Sequence, residues 1–180
     1  MRKVKIANWP LGPFPVALVG ADVNGKPNYT TVGACGVVCQ KPILYVSLKN
    51  THYTTAGVRD NGYFSLNIPS ANMIQKTDYC GLVSGSVTDK SSVFTSFYDE
   101  IGKAPMIEEC PLNFLCEVIR NIDIFDFEMF LGNIVAVYIN HRCLTSEKPD
   151  PIKIDPLILM GTNYLNLGHV IGNIYQEAKR

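Results

Sequence analysis

The segment Ser47-Leu48-Lys49-Asn50-Thr51-His52-Tyr53-Thr54-Thr55 gathers hydroxyl, imidazole and ammonium donors where an apolar strand-like run gives way to a helical pattern. A helix N-terminus leaves several backbone N–H groups unpaired and carries a partial positive charge. Surrounded by such donors, the junction can cradle a phosphate. A capped surface helix has the same composition, and no Walker or dinucleotide glycine pattern accompanies this one.

Two further stretches carry chemistry. In Asn28-Tyr29-Thr30-Thr31-Val32-Gly33-Ala34-Cys35-Gly36, the small residues let a flat heterocycle approach a strand backbone. Adjacent threonines point to opposite sides, so at most one of Thr30 and Thr31 faces a given ligand surface. A glycine-bulged strand is the plain alternative. In Asp78 to Lys90, Gly, Ser and Thr form a loop, and Lys90 at its end can neutralise an anion. A solvated loop reads the same way. No GxSxG, HExxH or strand-following GxGxxG occurs, and His52, His141 and His169 lie far apart. The spacing of Cys35 and Cys39 is wider than a metal knuckle, with no partner pair at zinc-finger distance. No metal site is therefore expected.

These candidates need a scaffold. The chain has 180 residues, 47% hydrophobic and 18% charged, which is a globular balance in one domain spanning 1–180. Its formal net charge is zero, so no global field favours nucleic acid or an anionic membrane, and any anion must be held by local groups. No apolar run is long enough to span a bilayer. The N-terminal stretch with Trp9, Pro10 and Pro13 lacks the uninterrupted apolar core of a signal peptide. The expected location is cytoplasmic, and the six cysteines are read as reduced thiols.

Pro15 to Val23 reads as a strand, and Asn24-Gly25 as a type I′ hairpin turn. Asn28 to Cys39 follows as the return strand. Ile43 to Leu48 is a further strand. Thr51, a plausible N-cap, opens a helix to Asp60 that stops at Asn61-Gly62. Tyr63 to Ile68 alternates like a strand, and Ala71 to Leu82 forms a short helix. Leu112 to Phe125 and Phe127 to His141 pair as a long hairpin about Asp126. A Gly-rich stretch from Tyr164 to Tyr175 closes the chain. Strands outnumber helices and successive strands are near neighbours, which argues a mainly β, antiparallel barrel with a few short helices.

In order and spacing, NGKPNYTTVGACGVV, KPILYVSLKNTHYTTAGVRDNGYFSLNIPS, DYCGLVSGSVTDK and LILMGTNYLNLGHVIG together resemble the flavin reductase-like family, nearest in pattern to its flavoredoxins. The similarity runs from about Pro15 to about Gly172. The resemblance implies an FMN-binding split barrel that forms a homodimer, with FMN near the interface. It implies that Tyr29, Thr30, Thr31, Val32, Ala34 and Cys35 meet the flavin ring. It assigns the phosphate end to Ser47, Leu48, Lys49, His52 and Thr54, with Ser84 and Lys90 contributing from the later loop.

Many flavin reductases carry a histidine shortly before a Gly-x-Val on the late strand. Phe125 to Val135 has none here. This departure favours electron exchange with another redox protein over direct hydride acceptance from NAD(P)H. The expected function is an FMN flavoprotein that carries electrons. The competing readings are an NAD(P)H-dependent flavin reductase and a flavin-binding module without turnover. The flavin itself would supply the chemistry, so no catalytic side chain is required.

Overall fold

The computed structural model describes residues 2–6, 8, 10–172 and 174. Trp9 and the end of the Gly-rich tail at Tyr175 lie outside the described residues. The principal strands are β1 (Ala17–Val23), β2 (Lys26–Val32), β3 (Cys35–Val37), β4 (Ile43–Lys49), β5 (Tyr63–Ile68), β6 (Leu112–Ile124) and β7 (Phe127–Ile139). They form one seven-stranded antiparallel sheet in the order β2-β1-β5-β6-β7-β4-β3. Two nine-residue helices, α1 (Tyr53–Asn61) and α2 (Ile74–Leu82), accompany it. The fold is a mainly β split barrel.

Local chemistry explains the hairpins. Val23 pairs with Lys26 across Asn24 and Gly25, whose φ values of 53° and 75° are the two positive angles of a type I′ turn. Phe127 pairs with Ile124, and Phe125 takes the positive φ of 54° at that turn. The expected return strand from Asn28 to Cys39 is corrected to two strands. β2 ends at Val32, and the next three paired residues, Cys35 to Val37, join β4 at the opposite edge of the sheet. The Ser47 N–H donates to the Ala34 carbonyl at 2.9 Å within this crossing. Gly33 and Ala34 leave the β2 line, and the sheet curls to meet itself.

Alternation along β1 serves two cores. Ala17, Val19 and Ala21 face the barrel interior with Val32, Val46, Leu48, Val58, Phe64 and Phe130. Leu18 faces the other way, into a cluster of Tyr29, Met73, Cys80, Phe94, Ile107 and Cys110 that carries α2 and the segment after it. A strand buried on both faces reads as a continuous apolar run, as Ala17 to Ala21 does.

Helix α1 closes against the barrel through Val58 and is tied down by Arg59. The Arg59 Nε donates to Oε2 of the buried Glu128 at 2.5 Å, and Asn121 Nδ2 donates to its other oxygen at 2.6 Å. The helix starts one residue later than an N-cap at Thr51 would place it. Its N-cap position is His52 rather than Thr51, and no side chain caps it. The Lys49 carbonyl accepts both the His52 N–H and the Thr55 hydroxyl, each at 2.9 Å, so a separate turn occupies Lys49 to His52 first. Gly62, in the left-handed region at φ 67°, ends the helix at the expected stop. No helix among the described residues is long and apolar enough to cross a membrane.

Gly57 marks the tightest approach of α1. A Cβ there would overlap the Asp22 carbonyl oxygen and come within 2.9 Å of Val23 and 3.1 Å of Ala21. Helix propensity alone would favour Gly57→Ala by about 1 kcal/mol. Overpacking against backbone costs roughly 1–3 kcal/mol more than an unstrained site. The variant is expected to unfold at lower urea concentration than the parent. An unchanged or raised midpoint would show that α1 can shift freely.

Candidate functional site

Three segments distant in sequence line one cleft with about 400 Å³ of space. Asn28 and Thr30 come from one face of β2, and His52, Tyr53 and Thr54 from the start of α1. Gly81 to Gly85 and Lys90 come from the end of α2 and the loop after it. The alternation of β2 decides which threonine participates. Thr30 lines the cleft, whereas the Thr31 hydroxyl donates to the Thr77 carbonyl under α2.

The electrostatics of the cleft are one-sided. Lys90 is 3% exposed, and its Nζ donates to the Tyr29 carbonyl at 2.5 Å and the Cys80 carbonyl at 3.2 Å. Both partners are neutral carbonyls. Among the described residues that line the cleft there is no carboxylate. Burial pushes the Lys90 ammonium below its ordinary pKa. His52 Nδ1 is buried and has no hydrogen-bond partner among the described residues. Its imidazole is held below the usual 6.5, first by burial and then by the positive charges of Lys49 and Lys90. Asn28 Nδ2 donates to Thr54 Oγ1 at 2.7 Å, which fixes that oxygen and leaves its own O–H free to donate. The uncapped N-terminus of α1 adds its N–H groups and its dipole. The donor set suits an oxyanion, and a phosphate fits it.

Most of the other residues expected at the site stand outside this cleft. Leu48, Val32 and Cys35 are in the barrel core, and burial raises the Cys35 thiol to about 12. Ser47 pairs with Met129 within the sheet. Lys49 is exposed beside Asp126, with Nζ to Oδ2 at 3.6 Å, and does not line the cleft. The Tyr29 ring is fully buried in the second core, where its hydroxyl meets Ser96 Oγ at 2.7 Å, so only its backbone reaches the cleft side. Ser84 lines the cleft. Ala34 lies in a second, apolar cleft with Gly33, Tyr45, Phe14 and Leu159. The two clefts stand at the ends of Thr30–Gly33, about 10 Å of extended chain.

Asn28 and Tyr53 also line the cleft; both lie within the candidate segments, but the sequence assigns neither of them a contact. The Asn28–Thr54 hydrogen bond is a tertiary contact without a local signature. Among the described residues no group of three or more His, Cys, Asp or Glu side chains is placed to hold a metal ion.

Comparison with known proteins places this geometry. Residues 11–168 match the flavin reductase like domain. The flavoredoxin from Methanosarcina acetivorans is 41% identical, superposes with a TM-score of 0.93, and the match covers 99% of this chain and 98% of that one. The flavoredoxin of Desulfovibrio vulgaris (Miyazaki F) is 29% identical at a TM-score of 0.92, over 98% of this chain and 100% of that one. An FMN-binding protein from Thermus thermophilus shares the fold, at 22% identity and a TM-score of 0.78, over 92% of this chain and 95% of that one.

The cleft makes a direct prediction about His52. In ligand-free protein its NMR titration midpoint is expected below 6.5, and inorganic phosphate should move the midpoint upward, because an anion favours the imidazolium. With a folded pKa below the unfolded one, His52 contributes stability above about pH 6.5 that is lost as pH falls through the folded midpoint. A free-protein midpoint at or above 6.5 would contradict the burial of the ring.

Proposed function

Because the chain belongs to the flavin reductase like domain family, we propose that its polar cleft holds the phosphate of FMN and that the protein carries electrons through that flavin. The observation that carries this reading is the buried ammonium of Lys90. It faces carbonyls rather than a carboxylate, beside the unpartnered His52 Nδ1 and the uncapped start of α1. A buried cation without a counter-ion is costly unless an anion joins it. A phosphate monoester, with charge near −2, is such an anion.

The residues divide the work. Lys90, His52, Thr54 and the first N–H groups of α1 would hold the phosphate. The backbone of Thr30 to Ala34 would meet the polar edge of the ring, and Tyr45 and Phe14 in the apolar cleft would cover its hydrocarbon part. Bound flavin supplies one- and two-electron redox chemistry. The protein then needs only to orient the ring and control its exposure. Electrons are exchanged with another redox protein, a reading supported by the absence of histidine from Phe125 to Val135. The flavoredoxin neighbours support the same role.

Replacing Lys90 by Met removes the charge and keeps much of the side-chain length. FMN affinity is expected to fall about ten- to a hundredfold, as for loss of a charge-assisted hydrogen bond of about 1.5–3 kcal/mol. Riboflavin, without the phosphate, should lose much less. Fluorescence titration with both ligands checks this. Equal losses would mean that Lys90 supports only the fold.

The protein is further proposed to act as a homodimer. The apolar cleft opens at the barrel rim, and a second copy would shield a ring seated there. An isologous, two-fold arrangement is the default. Light scattering should return twice the 19.9 kDa chain mass. A monomer that retains its flavin tightly would refute the dimer.

A further inference from the structure

A third, polar cleft of about 660 Å³ abuts the phosphate cleft, and the two share Asn28, Tyr53, Gly85 and Lys90 as a common wall. Beyond that wall stand Lys26 and Asp89, joined Nζ to Oδ2 at 2.8 Å. The other Asp89 oxygen accepts the Ser91 N–H at 2.9 Å, so both oxygens are held in place. The Tyr53 hydroxyl accepts from Asn24 Nδ2 at 3.0 Å, which fixes the ring in the wall. A Cβ at Gly85 would overlap the Asn28 side chain, so the loop lies tight against β2 here.

The geometry points to Asp89 as the residue that sets preference for a flavin mononucleotide over a dinucleotide, with Lys26 as its opposing partner. This rests on the reading that the first cleft holds the flavin phosphate. A monoester places about two negative charges on one phosphate, beside Lys90 and the start of α1. A dinucleotide spreads its charge over two phosphates and must send the second outward. The neighbouring cleft is the outlet the structure offers, and there the second phosphate meets the Asp89 carboxylate. The mononucleotide therefore gains more from the phosphate cleft and avoids repulsion in the neighbouring Lys26–Asp89 cleft. Asp89 ionises easily, because the hydrogen bond from Lys26 holds its carboxyl well below the usual carboxylate range. The side chains of Lys26 and Asp89 are 67% and 54% exposed, so substituting either leaves the cores intact.

The two partners should act with opposite sign. Asp89→Asn removes the repulsion and frees Lys26 for a second phosphate. Lys26→Met leaves the Asp89 charge uncompensated. Titrating flavin fluorescence with FMN and with FAD gives the ratio of affinities for the parent and each variant. Asp89→Asn is expected to shift the ratio about three- to tenfold toward FAD, and Lys26→Met to shift it toward FMN, the scale of a partly screened charge contact. An unchanged ratio in Asp89→Asn, or shifts of the same sign in both variants, overturns the inference while leaving FMN binding intact. A parent protein that binds neither flavin overturns the phosphate reading and this inference with it.

Discussion

The structure depends on one backbone constraint. The chain leaves β2 at Val32 on one edge of the sheet and re-enters at Cys35 on the other. Two residues cannot span a flat seven-stranded sheet, since neighbouring strands lie about 4.8 Å apart. The sheet must therefore curl until its edges nearly meet. The closure is incomplete, because β2 and β4 are joined by the crossing rather than by a full ladder. The free edge of β2 that remains is where the Tyr29 carbonyl meets Lys90. Barrel curvature and the candidate site are thus two results of one short connection.

Everything that lines the polar cleft is referred to that edge. The long β6–β7 hairpin supplies Glu128, which holds Arg59 and so fixes the tilt of α1. With α1 fixed, Thr54 stands within hydrogen-bond reach of Asn28 on β2. On the other side, α2 and the turn before it rest on Tyr29 and Leu18 through Cys80 and Met73, and α2 presents the Cys80 carbonyl to Lys90. The second core therefore supports the site as well as covering β1. Exposed ion pairs such as Lys26–Asp89 add little stability, and the buried apolar clusters carry the scaffold.

Local signals were legible in the sequence and tertiary ones were not. Asn24-Gly25 declares its turn, because positive φ at two successive positions admits few residues. Gly62 and the apolar runs of β6 and β7 are equally plain. The break at Gly33-Ala34 is hidden, since Thr-Thr-Val-Gly-Ala-Cys reads as one strand until its ends pair with different partners. At the candidate site, the Ser47-to-Thr54 junction reaches the cleft through His52, Tyr53 and Thr54, and of the two lysines expected there Lys90 lines it and Lys49 does not. Leu48 faces the barrel, so strand alternation turns Lys49 outward toward Asp126. Lys90 reaches the cleft only because its loop folds back across β2, and composition does not encode that path.

Burying Lys90 has a thermodynamic consequence for the molecule without an anion. Its ammonium is harder to charge in the fold than in the unfolded chain, because burial lowers its pKa from 10.5. The unfolded state therefore binds protons more readily, and the penalty is fully present below the folded pKa. It diminishes only as pH rises from there toward the unfolded value. Near neutrality the free protein thus carries a destabilised site, held together by the cores around it. An anion that binds only the folded state offsets the penalty by mass action and raises stability with its own concentration. The hydrogen bonds to two carbonyls hold the ammonium in position beforehand, so binding need not order a flexible side chain. A chain of zero net charge can in this way bind a strongly charged group. The attraction is concentrated in one desolvated cation and a helix end, where salt screens it far less than it would an exposed basic surface.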